Sequence, residues 1–256
     1  MHQLMSFAWN SGFNFAARLG VAGLVPRRIE RDGDLLVARF VGGSRLHFVA
    51  ERRIRLYSRG YAHRLARVAS RYGAGEHFHI APGQVVVDVG ANVGEFTLHA
   101  AEAGADVFAI EPDRRNWAAL ARNTEQFGTV RCIQLACAEA DGEATFYAFP
   151  EGADSSLIEP DNWSASYSVP TRRLDRLLLE NGITHVDVMK CDAEGAEPEV
   201  LKGALEVLPF VRVLVIDVSP ERNGTSTANA CEAILTATGA RVEYFHKGRI
   251  LVAKRD

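Results

Sequence analysis

The chain has 256 residues, 47% of them hydrophobic and 24% charged, enough to bury one globular unit of mixed α/β character with a modest extension. Its four cysteines, Cys132, Cys137, Cys191 and Cys231, lack Cys-x-x-Cys spacing, which indicates neither a disulfide framework nor a zinc site and suits a reduced, cytoplasmic compartment. The net charge is only −3, yet residues 1–75 hold 13 arginines, no lysine and 4 acids, a cationic front end set against an acidic remainder.

Arginine's planar fork suits phosphate and carboxylate. The front end therefore reads either as a contact for an anionic partner (a phosphorylated or nucleotide-linked substrate, a membrane surface, nucleic acid) or as a solvated face balancing the rest of the chain. The opening residues lack an early basic region and never reach the run of about 18 apolar residues that a membrane span needs. No leader and no transmembrane helix are expected. From Leu4 to Leu19 the apolar positions Leu4, Phe7, Ala8, Phe15, Ala16 and Leu19 follow a helical period. Such an amphipathic helix can pack on the domain, pair two chains in a homodimer, or lie peripherally on a membrane.

Next, LLVARFV and RLHFVA flank Gly42-Gly43-Ser44 and read as a β-hairpin. A helix over 60–72 would turn Tyr61, Leu65, Val68 and Tyr72 inward and Arg64, Arg67 and Arg71 outward. Residues 1–80 thus form a small α+β N-terminal lobe. From Pro82 onward strands alternate with helices: QVVVDV, DVFAI, VRCIQLA, HVDVMKC and VRVLVIDV are the strands, and a closing pair folds back around Lys247-Gly248. The expected fold over 81–256 is α/β, a Rossmann-like sheet that is mainly parallel with an antiparallel C-terminal strand. Cys132 and Cys137 would face opposite sides of the third strand. Residues 139–173, rich in Ser, Asp, Gly and Pro, read as an irregular insertion covering the acceptor site.

The first of these strands ends in Asp88 and enters Gly90-Ala-Asn92-Val-Gly94-Glu95, with Glu111 at the end of the second. A dinucleotide fits poorly, because carboxylates at the mouth of the turn repel a pyrophosphate and the Gly-x-Gly-x-x-Gly spacing is missing. S-adenosylmethionine fits better, cationic near the turn and offering a ribose diol to Glu111. DVGANVGEFT, the acid of AIEPD, and KCDAEGAE followed by LKG resemble the FkbM family of S-adenosylmethionine-dependent methyltransferases, over about residues 82–218. The resemblance implies a methyltransferase domain acting mostly on hydroxyls of sugars, glycans or secondary metabolites. By match to the family pattern the cofactor falls to Asp88, Gly90, Asn92, Gly94 and Glu111, with Asn116 and Asn123 as weaker candidates. Glu139 and Asp141 lie near where adenine sits in such folds. Two departures stand out: Cys191 and Ala193 replace the family's usual Ile and Val, and Asp217 stands where Glu is common, which leaves the role of that acid open.

Methyl transfer to an alcohol needs the hydroxyl held in line and its proton given somewhere to go. Lys190, Asp192 and Glu194 lie at the carboxyl edge of the sheet, where open α/β folds place ligands. Asp192 is the first candidate for orienting the acceptor or acting as base, and Glu194 the second, with Lys190 on the same side as Asp192. The competing reading makes Glu194 part of a strand-closing turn. An Asp/Glu pair also suits Mg²⁺, with Asp192 as its ligand, though spacing shows no third ligand. Ser155, Ser156 and Trp163 from the insertion, and Arg59 and Tyr61 from the lobe, are expected at the acceptor pocket. The sequence thus reads as a cytoplasmic O-methyltransferase with a small-molecule or glycan acceptor. Two alternatives are a nucleic-acid methyltransferase gripping phosphates through the lobe and a non-catalytic nucleotide-binding or membrane-peripheral module. The missing Asn-Pro-Pro-Tyr type motif argues against the first, and the Asp192/Glu194 pair against the second.

Overall fold

The structure, a computed structural model, describes Pro26, residues 28–149 and residues 155–255. The helix expected over Leu4–Leu19 lies outside the described residues. Strands Arg28–Asp32 (β1), Leu35–Arg39 (β2) and Arg45–Phe48 (β3) form an antiparallel sheet in that order. The hairpin at Gly42-Gly43 is present, both glycines having φ of 91°, a value L side chains avoid. β1 was not foreseen, because its charged sequence RIERD lacks apolar alternation; it is an edge strand paired only with β2, where charge is tolerated. A 3₁₀ turn over Glu51–Tyr57 leads into α1 (Tyr61–Arg71), which buries Leu65 and Ala69.

The main sheet is built in chain order from β4 (Val85–Val89), α2 (Glu95–Glu102), β5 (Asp106–Ile110), α3 (Arg114–Thr124) and β6 (Val130–Ile133). Then come β7 (Ala136–Cys137), β8 (Gly142–Ala148), β9 (Ala165–Arg172) and α4 (Leu174–Glu180). β10 (Val186–Cys191), α5 (Glu197–Lys202), β11 (Val211–Asp217), α6 (Ala228–Ala237), β12 (Arg241–Phe245) and β13 (Ile250–Lys254) complete it. The strand order is β12-β13-β11-β10-β4-β5-β6. β11, β10, β4, β5 and β6 run parallel, and β13 is antiparallel to both of its neighbours. The central strands are apolar on both faces because helices cover both. No described helix is long and apolar enough to cross a membrane.

Two readings change. VRCIQLA is not one strand: it splits into β6 and β7, so Cys132 and Cys137 sit on separate strands, the first half-buried and the second buried. The 139–173 segment is not irregular but carries the antiparallel β8/β9 hairpin, with β7 pairing parallel to β9. Pro170 is tolerated within β9 because β7 reaches only Thr171 and Arg172, so no ladder hydrogen bond is lost on that side.

The lobe and the main sheet share a core: Leu46, Phe48, Ile54, Tyr57 and Leu65 pack with Val93, Leu98 and Ala119. Asn123 staples them, its amide donating to the carbonyls of His47 (3.0 Å) and Val93 (2.7 Å) and its oxygen accepting from the His47 N–H (2.6 Å). At the centre, the register sets Asp88 of β4 opposite Lys190 of β10. Both are buried, with Nζ 3.1 Å from Asp88 Oδ1. Lys190 also donates to the carbonyls of Gly90 (2.6 Å) and Val89 (3.3 Å), and Thr97 donates to Asp88 Oδ2 (2.6 Å). Removing one member strands a buried charge. Lys190→Met should lower stability by about 3–5 kcal/mol in urea unfolding, with the Asp88→Leu/Lys190→Met double variant losing less than the single one.

Candidate active site

The turns after β4 and β10 touch. Gly90 has φ of 72°, and a Cβ placed on it would lie 1.8 Å from the carbonyl oxygen of Asp192, so only glycine fits. Asn92 follows at φ of 52°, its Oδ1 accepting from the Val93 N–H at 2.8 Å; asparagine is the non-glycine residue that best tolerates such backbone. On the other turn Glu194 has φ of 50°. That strained backbone is held from below by Glu197, fully buried, whose Oε1 accepts from the N–H groups of Ala193 (3.0 Å) and Gly195 (2.9 Å) and whose Oε2 accepts from Thr227 (2.9 Å). Burial pushes Glu197 up to about 7.

Two cavities open on these turns. The first is narrow, about 70 Å³, and lies between the ends of β4 and β5 and the insertion; its walls include Glu111, Asn116, Leu135, Cys137, Phe146 and Leu157. Glu111 Oε2 accepts from the Asn92 N–H (2.7 Å) and Oε1 from the Asp113 N–H (2.9 Å). Burial outweighs those donors and raises its pKa to about 7. The second cavity is a cleft of about 610 Å³ between the sheet edge and the lobe, with Arg53, Arg64, Arg67, Arg71 and Tyr72 on the lobe side. Gly90, Asn92, Asp192 and Glu194 line both cavities. They form the seam where a ligand in one meets a ligand in the other.

Asp192 is reached from the lobe. The hydroxyl of Tyr72 donates to its Oδ2, while Arg71 pairs with Asp217, which also accepts from the Ser219 N–H at 3.0 Å. Carboxylate oxygens of Asp192, Asp217 and Glu221 all lie within 4.8 Å of one another. The fold thus brings beside Asp192 two further acids that sequence spacing did not reveal. Arg71 already brings a positive charge to this group. Burial, then the charges of Asp192 and Asp217, push Glu221 up to about 9, so it carries a proton at neutral pH.

Several expected site residues stand elsewhere. Asp88 lines neither cavity: it is sealed behind the turn with Lys190 and Thr97. Glu95 borders the cleft but is engaged by Arg64, with 2.8 Å contacts from Nε and Nη2, and by Tyr57. Burial opposes its ionisation, and the hydrogen bonds and charge of Arg64, aided by Arg53 and Tyr57, prevail and hold the carboxyl below its usual range. Neither acid presents a bare charge to a cofactor, which corrects the electrostatic reason given for S-adenosylmethionine over pyrophosphate. Lys190 borders the cleft and is engaged by Asp88 and by the carbonyls of Val89 and Gly90. Gly94 is required by packing, since a Cβ there would meet Leu120 Cδ1 at 2.7 Å.

Glu139 and Asp141 line neither cavity; at the surface Glu139 pairs with Lys202 (3.1 Å), and Asp141 accepts from the backbone N–H of Arg173 (2.7 Å) and pairs with Arg176 (3.2 Å). Ser155 lines the first cavity, whereas Ser156 donates to the Glu194 carbonyl (2.6 Å) and holds the insertion on the seam. The insertion therefore covers the Glu111 cavity and not the cleft. Trp163 is exposed and stacks edge-on against Tyr147, outside both cavities. Tyr61 donates to Glu102 (2.9 Å) on the far side of α1, and Arg59 is exposed outside the cleft. Of the weaker candidates Asn116 lines the first cavity and Asn123 is structural. Tyr72, Asp217 and Glu221 were not foreseen at the site. The helical phase that turned Tyr72 inward was the available signal for the first; nothing local marks Glu221.

A family profile for the methyltransferase FkbM domain matches residues 88–242. The chain belongs to the FkbM methyltransferase family. It is similar to the 2-O-methyltransferase NoeI of Sinorhizobium fredii, 27% identical over 158 residues, which are 55% of this chain and 65% of that protein. The hexuronic acid methyltransferase AglP of Haloferax volcanii is 29% identical over 137 residues (52% and 55%). The 31-O-demethyl-FK506 methyltransferase FkbM of Streptomyces tacrolimicus is 27% identical over 173 residues (54% and 66%). The chain thus spans 55% to 66% of the length of these relatives. Among solved structures, Aeropyrum pernix fibrillarin in complex with S-adenosylmethionine has 14% identity and a TM-score of 0.46, covering 88% of this chain and 97% of that one.

Carboxyl-carbon NMR should find Glu111 titrating near pH 7 and Glu221 near pH 9, with Glu95 still ionised below the ordinary carboxylate range. Ordinary values for Glu111 and Glu221 would show that water reaches both.

Proposed function

We propose that the chain transfers a methyl group to a hydroxyl of a sugar, glycan or secondary metabolite, with the donor in the Glu111 cavity and the acceptor in the cleft. The observation that carries this reading is the seam: Gly90, Asn92, Asp192 and Glu194 border both cavities. The residues fit an adenosyl group. Glu111 has a backbone N–H on each oxygen, and a carboxylate has about four acceptor sites, so lone pairs remain for a ribose diol. Leu135, Cys137, Phe146 and Leu157 give apolar surface for a base. At about 70 Å³ the cavity is too narrow for a nucleoside as it stands, so Phe146 and Leu157 on the insertion must part to admit one. When bound, S-adenosylmethionine supplies an electrophilic methyl group.

Asp192 orients the acceptor hydroxyl and takes its proton as the oxygen–carbon bond forms and the methyl–sulfur bond breaks, with S-adenosylhomocysteine as the leaving group. Tyr72, bonded to Oδ2, fixes the carboxylate and leaves Oδ1 for the acceptor. Glu197 holds the backbone of the same turn. Positioning and proton removal are separable contributions, and a placed base is worth roughly 10²–10⁴-fold. Relatives named as 2-O-methyltransferase and 31-O-demethyl-FK506 methyltransferase support a hydroxyl target, and one named for hexuronic acid supports a saccharide.

The test uses methyl-labelled S-adenosylmethionine with an extract of the source cells, fractionated into glycan, small-molecule, protein and nucleic-acid pools. Label should enter the glycan or small-molecule pool; label in nucleic acid alone would contradict the reading. Asp192→Asn should lower kcat by about 10²–10⁴-fold while S-adenosylmethionine affinity, measured by calorimetry, stays within a few-fold.

A further inference from the structure

α1 sets Arg64, Arg67 and Arg71 on one stripe facing the cleft, because residues three and seven apart share a helix face. Arg53, from the preceding 3₁₀ turn, extends that wall. The lobe contributes four guanidinium groups to the cleft, and the sheet edge contributes Asp192 and Glu194 beside Lys190, whose charge is met by Asp88. Arg64 is engaged bidentately by Glu95, and Arg71 by Asp217. Glu95 has a second guanidinium, that of Arg53, at 4.0 Å, so one buried carboxylate faces two cations. Arg67 is exposed and makes no hydrogen bond or ion pair among the described residues.

We infer that the acceptor bears an anionic group, a phosphate or a carboxylate, and that the arginine wall binds it with Arg67 as the main contact. This rests on the methyl-transfer reading of the cleft. An arginine fork makes two parallel N–H···O bonds to either group, and a cationic wall opposite the seam turns the acceptor so that its uncharged hydroxyl end meets Asp192. Repulsion from Asp192 and Glu194 enforces that polarity, since an anion placed at the seam would face two carboxylates. The same chemistry has one other source, the carboxylate at the amino-acid end of S-adenosylmethionine itself, because Gly90 and Asn92 border the cleft as well as the donor cavity.

The experiment loads the full chain with S-adenosylhomocysteine and follows arginine Nε–H resonances by NMR during titration with inorganic phosphate and, separately, acetate. Arg67 should shift saturably with both anions. Arg67→Ala should weaken phosphate binding at least tenfold and Arg67→Lys by less, with S-adenosylhomocysteine affinity unchanged in both variants. In the labelling reaction the product should be retained on an anion exchanger. Its release by alkaline phosphatase, alone or after phosphodiesterase, identifies a phosphate, and its resistance to both identifies a carboxylate. An unresponsive Arg67, an unchanged phosphate affinity in Arg67→Ala, or a neutral labelled product would overturn the inference. A tenfold loss of S-adenosylhomocysteine affinity in Arg67→Ala would assign the fork to the cofactor and overturn it too. Failure of the unsubstituted chain to bind S-adenosylhomocysteine would instead remove the methyl-transfer reading beneath it.

Discussion

The site depends on the buried contact between Asp88 and Lys190. Burying an ion pair is costly unless the remaining polar atoms are also engaged. Here Thr97 donates to the carboxylate, and the ammonium donates to the carbonyls of Val89 and Gly90. Those bonds tie the carboxyl end of β10 to the turn leaving β4, and the close approach of Gly90 to the Asp192 carbonyl follows from that tie. Two turns that are far apart in sequence become one surface, with Asn92 on one and Asp192 on the other. Everything at the seam inherits its position from this junction.

The lobe completes the site. Tyr72 bonds Asp192, Arg71 bonds Asp217, and Tyr57 and Arg64 bond Glu95, so three acids at the sheet edge take their partners from the N-terminal eighty residues. The shared core around Phe48, Tyr57, Leu98 and Ala119 and the Asn123 staple hold the lobe in register with α2 and α3. Glu95, an acid that reads in sequence as a negative charge at the mouth of the glycine turn, is thereby the anchor of the arginine wall. The division of labour is electrostatic as well as mechanical, with guanidinium groups on one side of the cleft and carboxylates on the other.

The main sheet was legible because its strands are continuous apolar runs punctuated by Gly and Pro, and the helix expected over 60–72 followed from its period and is found over Tyr61–Arg71. The β8/β9 hairpin was not, since its strands carry Ser, Gly and Pro. Position along a strand shows that Asp88, Glu111 and Asp192 lie near the carboxyl edge, and it does not show which way each carboxylate turns. For Asp88 that depends on the register with Lys190, a long-range pairing. Arg59 and Tyr61 were misplaced for the opposite reason: α1 presents Arg64, Arg67 and Arg71 to the cleft, and Tyr61 lies a turn away on the side of Glu102. Glu221 belongs to the loop after β11 and meets Asp192 only in the folded chain.

The most direct measurement is a crystal structure with S-adenosylhomocysteine bound. The ribose diol is expected on Glu111, the base against Phe146 and Leu157, and the sulfur at the seam beside Gly90 and Asp192, facing the arginine-lined cleft. Adenosine lodged in that cleft, or a sulfur turned away from the seam, would contradict the assignment of donor and acceptor to the two cavities.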